Sequence, residues 1–91
     1  MTGKEYLARV RKLPCQLCKL AGCVQSNETQ AHHIREGQGM SQKADDFLTV
    51  ALCYSHHQGA IGIHGLGRRA FEARYKVTEL ELVARTIQAA T

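Results

Sequence analysis

The sequence predicts a small α+β domain, and three observations carry that expectation. Capped segments with helical periodicity stand at both ends, two short β-rich runs stand between them, and cysteine and histidine pairs flank those runs. At 91 residues the chain is read as one domain, 1-91, which excludes a multidomain enzyme. Hydrophobic residues are 44% and charged residues 22%, which excludes a disordered tail. Aromatics are only 5%, and a domain this short buries roughly 60–65% of its unfolded surface, so the core is thin. Such a chain needs a staple. Four Cys and five His suggest what it is.

The elements follow in order. Thr2 and Glu5 form a capping box, and Tyr6, Leu7, Val10 and Leu13 recur at helical spacing until Pro14, which predicts a basic amphipathic helix over 3–12. Cys15-Gln16-Leu17-Cys18 opens a knuckle, and a polar connection runs on through Ser26 and Asn27. Thr29 to Ile34 reads as a short strand carrying His32 and His33. Residues 35–43, rich in turn formers, read as a loop. Phe47 to Leu52 is the strongest strand, and Cys53 to His57 turns out of it. Residues 59–67 hold four Gly and read as a second loop, with a helix from Leu66 to Tyr75. Thr78-Glu79-Leu80-Glu81 is another capping box, opening a last helix with a stripe of Leu80, Val83 and Ile87.

The formal charge is +4 and the pI about 9.1, which fits a polyanionic partner. Residues 1–19 carry Lys4, Arg9, Arg11, Lys12 and Lys19 against Glu5 alone. The opening segment has no continuous apolar run and is not read as a signal peptide, and no stretch approaches the roughly 20 apolar residues of a membrane span. The expected location is therefore the cytoplasm. In a reducing compartment, clustered cysteines bind metal more often than they form disulfides.

Two groups of ligands stand out. Cys15-x-x-Cys18 and Cys53-x-x-His56 are four ligands in two tight turns, the pattern of a closed tetrahedral structural zinc. Cys23 is read as a spare thiol, the alternative being that it replaces Cys18 or His56. The second group is His32, His33, His57 and His64. Adjacent residues on a strand point to opposite faces, so His32 and His33 cannot share one ion without distortion. His56 and His57 divide in the same way, one for the structural zinc and one for a second site.

Strand-His-His-Ile, loop, strand, Cys-x-x-His-His resembles the HNH (ββα-metal, His-Me finger) endonucleases with a stabilising zinc, over residues 14–65. The helices over 66–90 and the N-terminal helix would then flank that core. With Gly39-Met40, Lys43-Ala44-Asp45-Asp46-Phe47, Thr49-Val50 and the run Gly62 to Tyr75, the chain looks similar to the phage and prophage Ref (RecA-dependent nuclease) group. The resemblance implies that His32 and His57 hold a catalytic divalent metal and that His33 is the general base. A further ligand is expected one helical turn beyond His57, at Ile61, which cannot coordinate; His64 is the substitute. Either the helix breaks after His57 and His64 joins the ion, which is the favoured reading, or His64 faces DNA phosphate and the third ligand lies at Asp45 or Asp46. Leu48 stands where the middle Asn belongs, so Asp46 or Asp45 is expected to orient the imidazole instead.

The chemistry asks for these parts. A neutral His can take a proton from water at cellular pH, and a divalent ion stabilises charge on the cleaved phosphate. The ion is expected to be Mg²⁺, Mn²⁺, Zn²⁺ or Ni²⁺, and an all-His set favours a transition metal. Arg35, Arg68 and Arg69 are expected to position the DNA backbone, with Arg74, Lys76, Lys4, Arg9, Arg11 and Lys12 as further basic residues. The expected function is metal-dependent DNA endonuclease activity in phage or prophage recombination within a bacterial host cell. The expected partners are DNA and the RecA filament. The rival is a non-catalytic zinc module that binds nucleic acid, which would keep the four zinc residues and would not need His33.

Overall fold

The computed structural model describes residues 1–35 and 44–91. The expected loop beyond Arg35, with Gly39, Met40 and Lys43, lies outside the described residues. Helix α1 spans Gly3–Arg11, with both hydrogen bonds of the Thr2/Glu5 capping box formed. Lys12 is its C-cap and Pro14 follows, as the sequence predicts. Strand β1, Thr29–His33, pairs antiparallel with β2, Thr49–Cys53, placing His32 opposite Val50 and His33 opposite Thr49.

Every residue of β2 is buried, because helices cover both faces. Tyr6 and Val10 of α1 pack on the face of Ala31 and Ala51. The other face, with Val50 and Leu52, packs against Leu17 and Cys18 of α2 (Gln16–Ala21), Phe71 of α5 (Arg68–Tyr75), and Leu82 and Val83 of α6 (Glu79–Ala90). Between β2 and α5 lie two one-turn helices, α3 (Tyr54–His57) and α4 (Ile63–Leu66). The radius of gyration is 12.3 Å, close to the roughly 12 Å of a single compact domain of this length. The α+β class is as predicted, and no helix of the described residues is long and apolar enough to cross a membrane.

Five local expectations need correction. The expected capping box at Thr78 is half formed: Thr78 Oγ1 accepts the Glu81 N–H at 3.1 Å, while the Glu81 carboxylate takes the Thr78 hydroxyl at 3.2 Å instead of the Thr78 N–H. The segment after Cys15 is a helix, not only a knuckle: the Cys18 N–H donates to Cys15 Sγ at 3.4 Å, and Gly22 ends the helix at φ +74°. Phe47 is not in the strand. Asp45 Oδ1 accepts the Phe47 N–H at 2.8 Å, a local turn that delays the strand to Thr49. The glycine segment contains α4. On α6, Leu80 and Ile87 are exposed and only Val83 of the expected stripe is buried. The inward line is Glu79, Leu82, Val83, Thr86 and Ala90. Thr86 sets that rotation, since its Oγ1 accepts the Ala51 N–H at 3.2 Å and closes the free edge of β2.

Candidate metal centres

The first centre gathers side chains from α2, β2 and α3. Cys15, Cys18, Cys53 and His56 are all buried, with their ligand atoms within 4.8 Å of one another. His56 Nδ1 lies 3.8, 3.5 and 3.3 Å from the sulfurs of Cys15, Cys18 and Cys53, and the Cys18 and Cys53 sulfurs are 3.9 Å apart. A tetrahedral zinc bonded at about 2.3 Å to sulfur and about 2.0–2.1 Å to nitrogen has edges of about 3.8 Å between sulfurs and about 3.6 Å between sulfur and nitrogen. The donor set fits the ion in kind and in spacing. Burial pushes the Cys15 thiol up, and burial together with the Cys23 and Cys15 thiols pushes Cys18 up further. Thiols crowded like this resist ionisation until a cation joins them. Burial pushes His56 down, which keeps it neutral as a ligand must be. Cys23 is exposed and stands outside the cluster.

The second group gathers His32 of β1, His57 of α3, one residue beyond His56, and His64 of α4. His32, His57 and His64 bring ring nitrogens within 4.8 Å of one another, with His57 Nε2 and His64 Nε2 3.2 Å apart. That separation is close to the edge of about 3.3 Å between two nitrogens on a tetrahedral ion bonded at about 2.0–2.1 Å. Gln30, two residues before His32 and on the same face of β1, accepts from His57 Nδ1 at 2.7 Å. The lone pair of His57 is thereby left on Nε2, toward His64. Burial, and next the charges His32 and His64 would carry, push His57 down to about 4. His57 is therefore neutral at pH 7, ready to coordinate.

Helix α3 ends at His57, so His64 returns to the group on α4 instead of lying two turns away. Close backbone packing makes this possible. A Cβ on Gly65 would stand 2.3 Å from the Gly59 carbonyl oxygen. Gly65→Ala should therefore disturb the return of His64, and weaken Mn²⁺ or Ni²⁺ binding at the three histidines as much as His64→Ala does. Calorimetric titration of both variants, with Cys-bound zinc retained, checks this. Unchanged affinity in both would place His64 outside the ion site. Ile61 is exposed, its carbonyl accepting from the Tyr75 hydroxyl at 2.8 Å.

Acid should loosen this group. Between 6.5 and about 4, the unfolded chain carries a proton on His57 that the folded chain excludes. Stability contributed by His57 is thus present above 6.5 and is lost as pH falls through that window. Denaturant midpoints of the zinc-loaded protein, without a second ion, should fall there, and His57→Gln should flatten the slope. An equally steep slope in the variant would contradict the assignment.

His33 points to the opposite face of β1 and is about one-third exposed, its Nε2–H donating to Asp46 Oδ1 at 2.9 Å. Asp46 therefore stands where an orienting acceptor was expected. Leu48 packs at the edge of the core, and its carbonyl accepts the Ile34 N–H at 3.1 Å. A Cβ on Gly3 would lie 2.5 Å from Asp46 Oδ2, so the start of α1 abuts this carboxylate.

A cavity of about 720 Å³ is lined by His32, His33, His57 and His64 with Arg35, Arg68, Gly67 and Glu79 among others. Arg69 is exposed on α5 and does not line it, nor do Lys4, Arg9, Arg11 and Lys12. Arg9 donates instead to the Ala90 carbonyl at 3.2 Å. Two residues at the centre were not singled out as site residues from sequence. Gln30 had no motif to mark it, and Glu79 was read only as part of a capping box. Glu79 is 5% exposed, and its Oε2 lies 2.7 Å from His32 Nε2.

The chain belongs to the family described as Protein of unknown function (DUF968), which it matches over residues 1–91. No curated protein and no solved structure matches it.

Proposed function

We propose that this chain is an HNH-type, metal-dependent DNA endonuclease, akin to the Ref group, with a structural zinc at Cys15, Cys18, Cys53 and His56. The observation that carries the reading is the division of labour on β1. His32 joins two other histidines on one face, His33 pairs with a carboxylate on the other, and both residues line one cavity. A binding module would need the zinc residues and not this second arrangement.

His32, His57 and His64 would hold the catalytic ion, which when bound neutralises charge on the phosphate and on the leaving oxygen. Three neutral imidazoles suit Zn²⁺, Mn²⁺ or Ni²⁺ better than Mg²⁺. His33 acts as the base. Its Nε2–H is held by Asp46, so Nδ1 carries the lone pair that takes a proton from water. The water oxygen bonds to phosphorus as the bond from phosphorus to the 3′ oxygen breaks. Arg35 and Arg68, at the cavity wall, hold the flanking phosphates and fix the register of the strand. Their contacts carry no sequence information, so cleavage should tolerate many sequences. Arg69, outside the cavity, would reach DNA only further along the backbone.

Incubation with supercoiled plasmid and Mn²⁺, Ni²⁺ or Mg²⁺ tests the reading, with RNA as competitor and a RecA filament added in one arm. Nicked or linear plasmid supports it. Cleavage only with the filament places the protein in recombination. Binding without cleavage under every ion supports the non-catalytic module instead.

A further inference from the structure

Glu79 has no part in the reading above, yet it is a buried carboxylate at the wall of the same cavity. Its side chain meets one partner among the described residues, His32, at 2.7 Å. It stands outside the set of atoms within 4.8 Å that His32, His57 and His64 form, so it touches a ligand and not the ligand cluster. Its position is fixed from two sides. Thr78 caps α6 by accepting the Glu81 N–H at 3.1 Å, and the Glu79 N–H donates to Glu72 Oε2 at 2.7 Å. A buried carboxylate is costly unless it is hydrogen-bonded and its charge is balanced. A hydrogen bond from a neutral imidazole meets the first need, and a cation on the far side of that imidazole meets the second.

We infer that Glu79 is a positioning residue for the histidine centre: it accepts the Nε2–H of His32, holds the ring, and leaves Nδ1 as the ligating atom. A carboxylate behind a metal-bound imidazole raises its basicity and fixes its tautomer, and removing it typically costs 10–100-fold in metal affinity. Glu79 does for His32 what the Gln30 amide does for His57, with a charge in addition. The last helix thereby tunes a site assembled on β1, α3 and α4. The inference rests on the reading of the three histidines as an ion site.

Long-range ¹H–¹⁵N correlations on the full chain, with Zn²⁺ in both centres, test this without any variant. They should show His32 protonated at Nε2 and metal-bound at Nδ1; a metal bond at Nε2 would overturn the inference. In Mn²⁺ titrations, Glu79→Ala should bind about 10–100-fold more weakly, with Cys-bound zinc and circular dichroism unchanged. Glu79→Gln should recover most of that loss, since its amide oxygen still accepts. His32→Ala with Glu79→Ala should bind no more weakly than His32→Ala alone. Wild-type affinity in Glu79→Ala, or losses that add in the double variant, would refute a role through His32. Cleavage is not the readout. A protein that binds its second ion in this way and cuts no DNA defeats the proposed function and leaves Glu79 its role, whereas a protein that takes up no second ion defeats both.

Discussion

Removing zinc from Cys15, Cys18, Cys53 and His56 should unfold the whole domain, not just the turn that opens it. Three of the four ligands are themselves members of the main core cluster, beside Leu17, Val50, Leu52 and Phe71. They join α2 to β2 and α3 across separations of 35 to 41 residues. Structural zinc in small domains supplies on the order of 10 kcal/mol of apparent folding free energy, against the roughly 5–15 kcal/mol by which whole domains are stable. A chain with so few aromatics has little to set against that loss. A strong chelator should abolish the helical circular dichroism, and added Zn²⁺ should restore it. His57 follows His56 directly, so the histidine centre should disappear in the same step. An unchanged spectrum after verified removal of the metal would show that the core holds without it.

His33→Ala should abolish DNA cleavage while the fold and both metal centres persist. A positioned base contributes typically 10²–10⁴-fold to rate, which places the variant near background in a plasmid assay. The substitution is mild for the structure. The side chain is about one-third exposed, its hydrogen bond goes to the half-buried Asp46, and it lies on the opposite face of β1 from His32. Activity within a few-fold of wild type, with metal content intact, would remove His33 from the role of base.

What the sequence disclosed follows from how local each signal is. The capping box of Thr2 and the side-chain cap of Thr78 each fix a helix start with residues three apart, and both helices begin where expected. The two ligand pairs, Cys15 with Cys18 and Cys53 with His56, are equally local, since each needs only one tight turn. Strand alternation alone separated His32 from His33. The signals that failed were tertiary. Helices α2, α3 and α4 have 6, 4 and 4 residues, too short to show a period, and owe their form to capping and packing. Asp45 moved the start of β2 through one side-chain hydrogen bond. Glu79 sits 47 positions from His32, and its place at a helix start already had an ordinary explanation. Thr86 faces inward on α6, where it accepts from the open edge of β2, and Leu80 and Ile87 face outward; that bond spans 35 positions and leaves no local mark in the sequence.

The central claim is that this domain carries two metal centres with different duties, joined through the neighbouring His56 and His57 of α3. Plasmid cleavage measured against equivalents of bound metal tests it most directly. Protein holding one equivalent of zinc should be folded and inactive. Cleavage should appear as a second equivalent of Mn²⁺ or Ni²⁺ binds, and should be lost in His57→Ala although its zinc remains. Cleavage at full strength with the single zinc, or none when a second ion saturates the protein, would contradict the account.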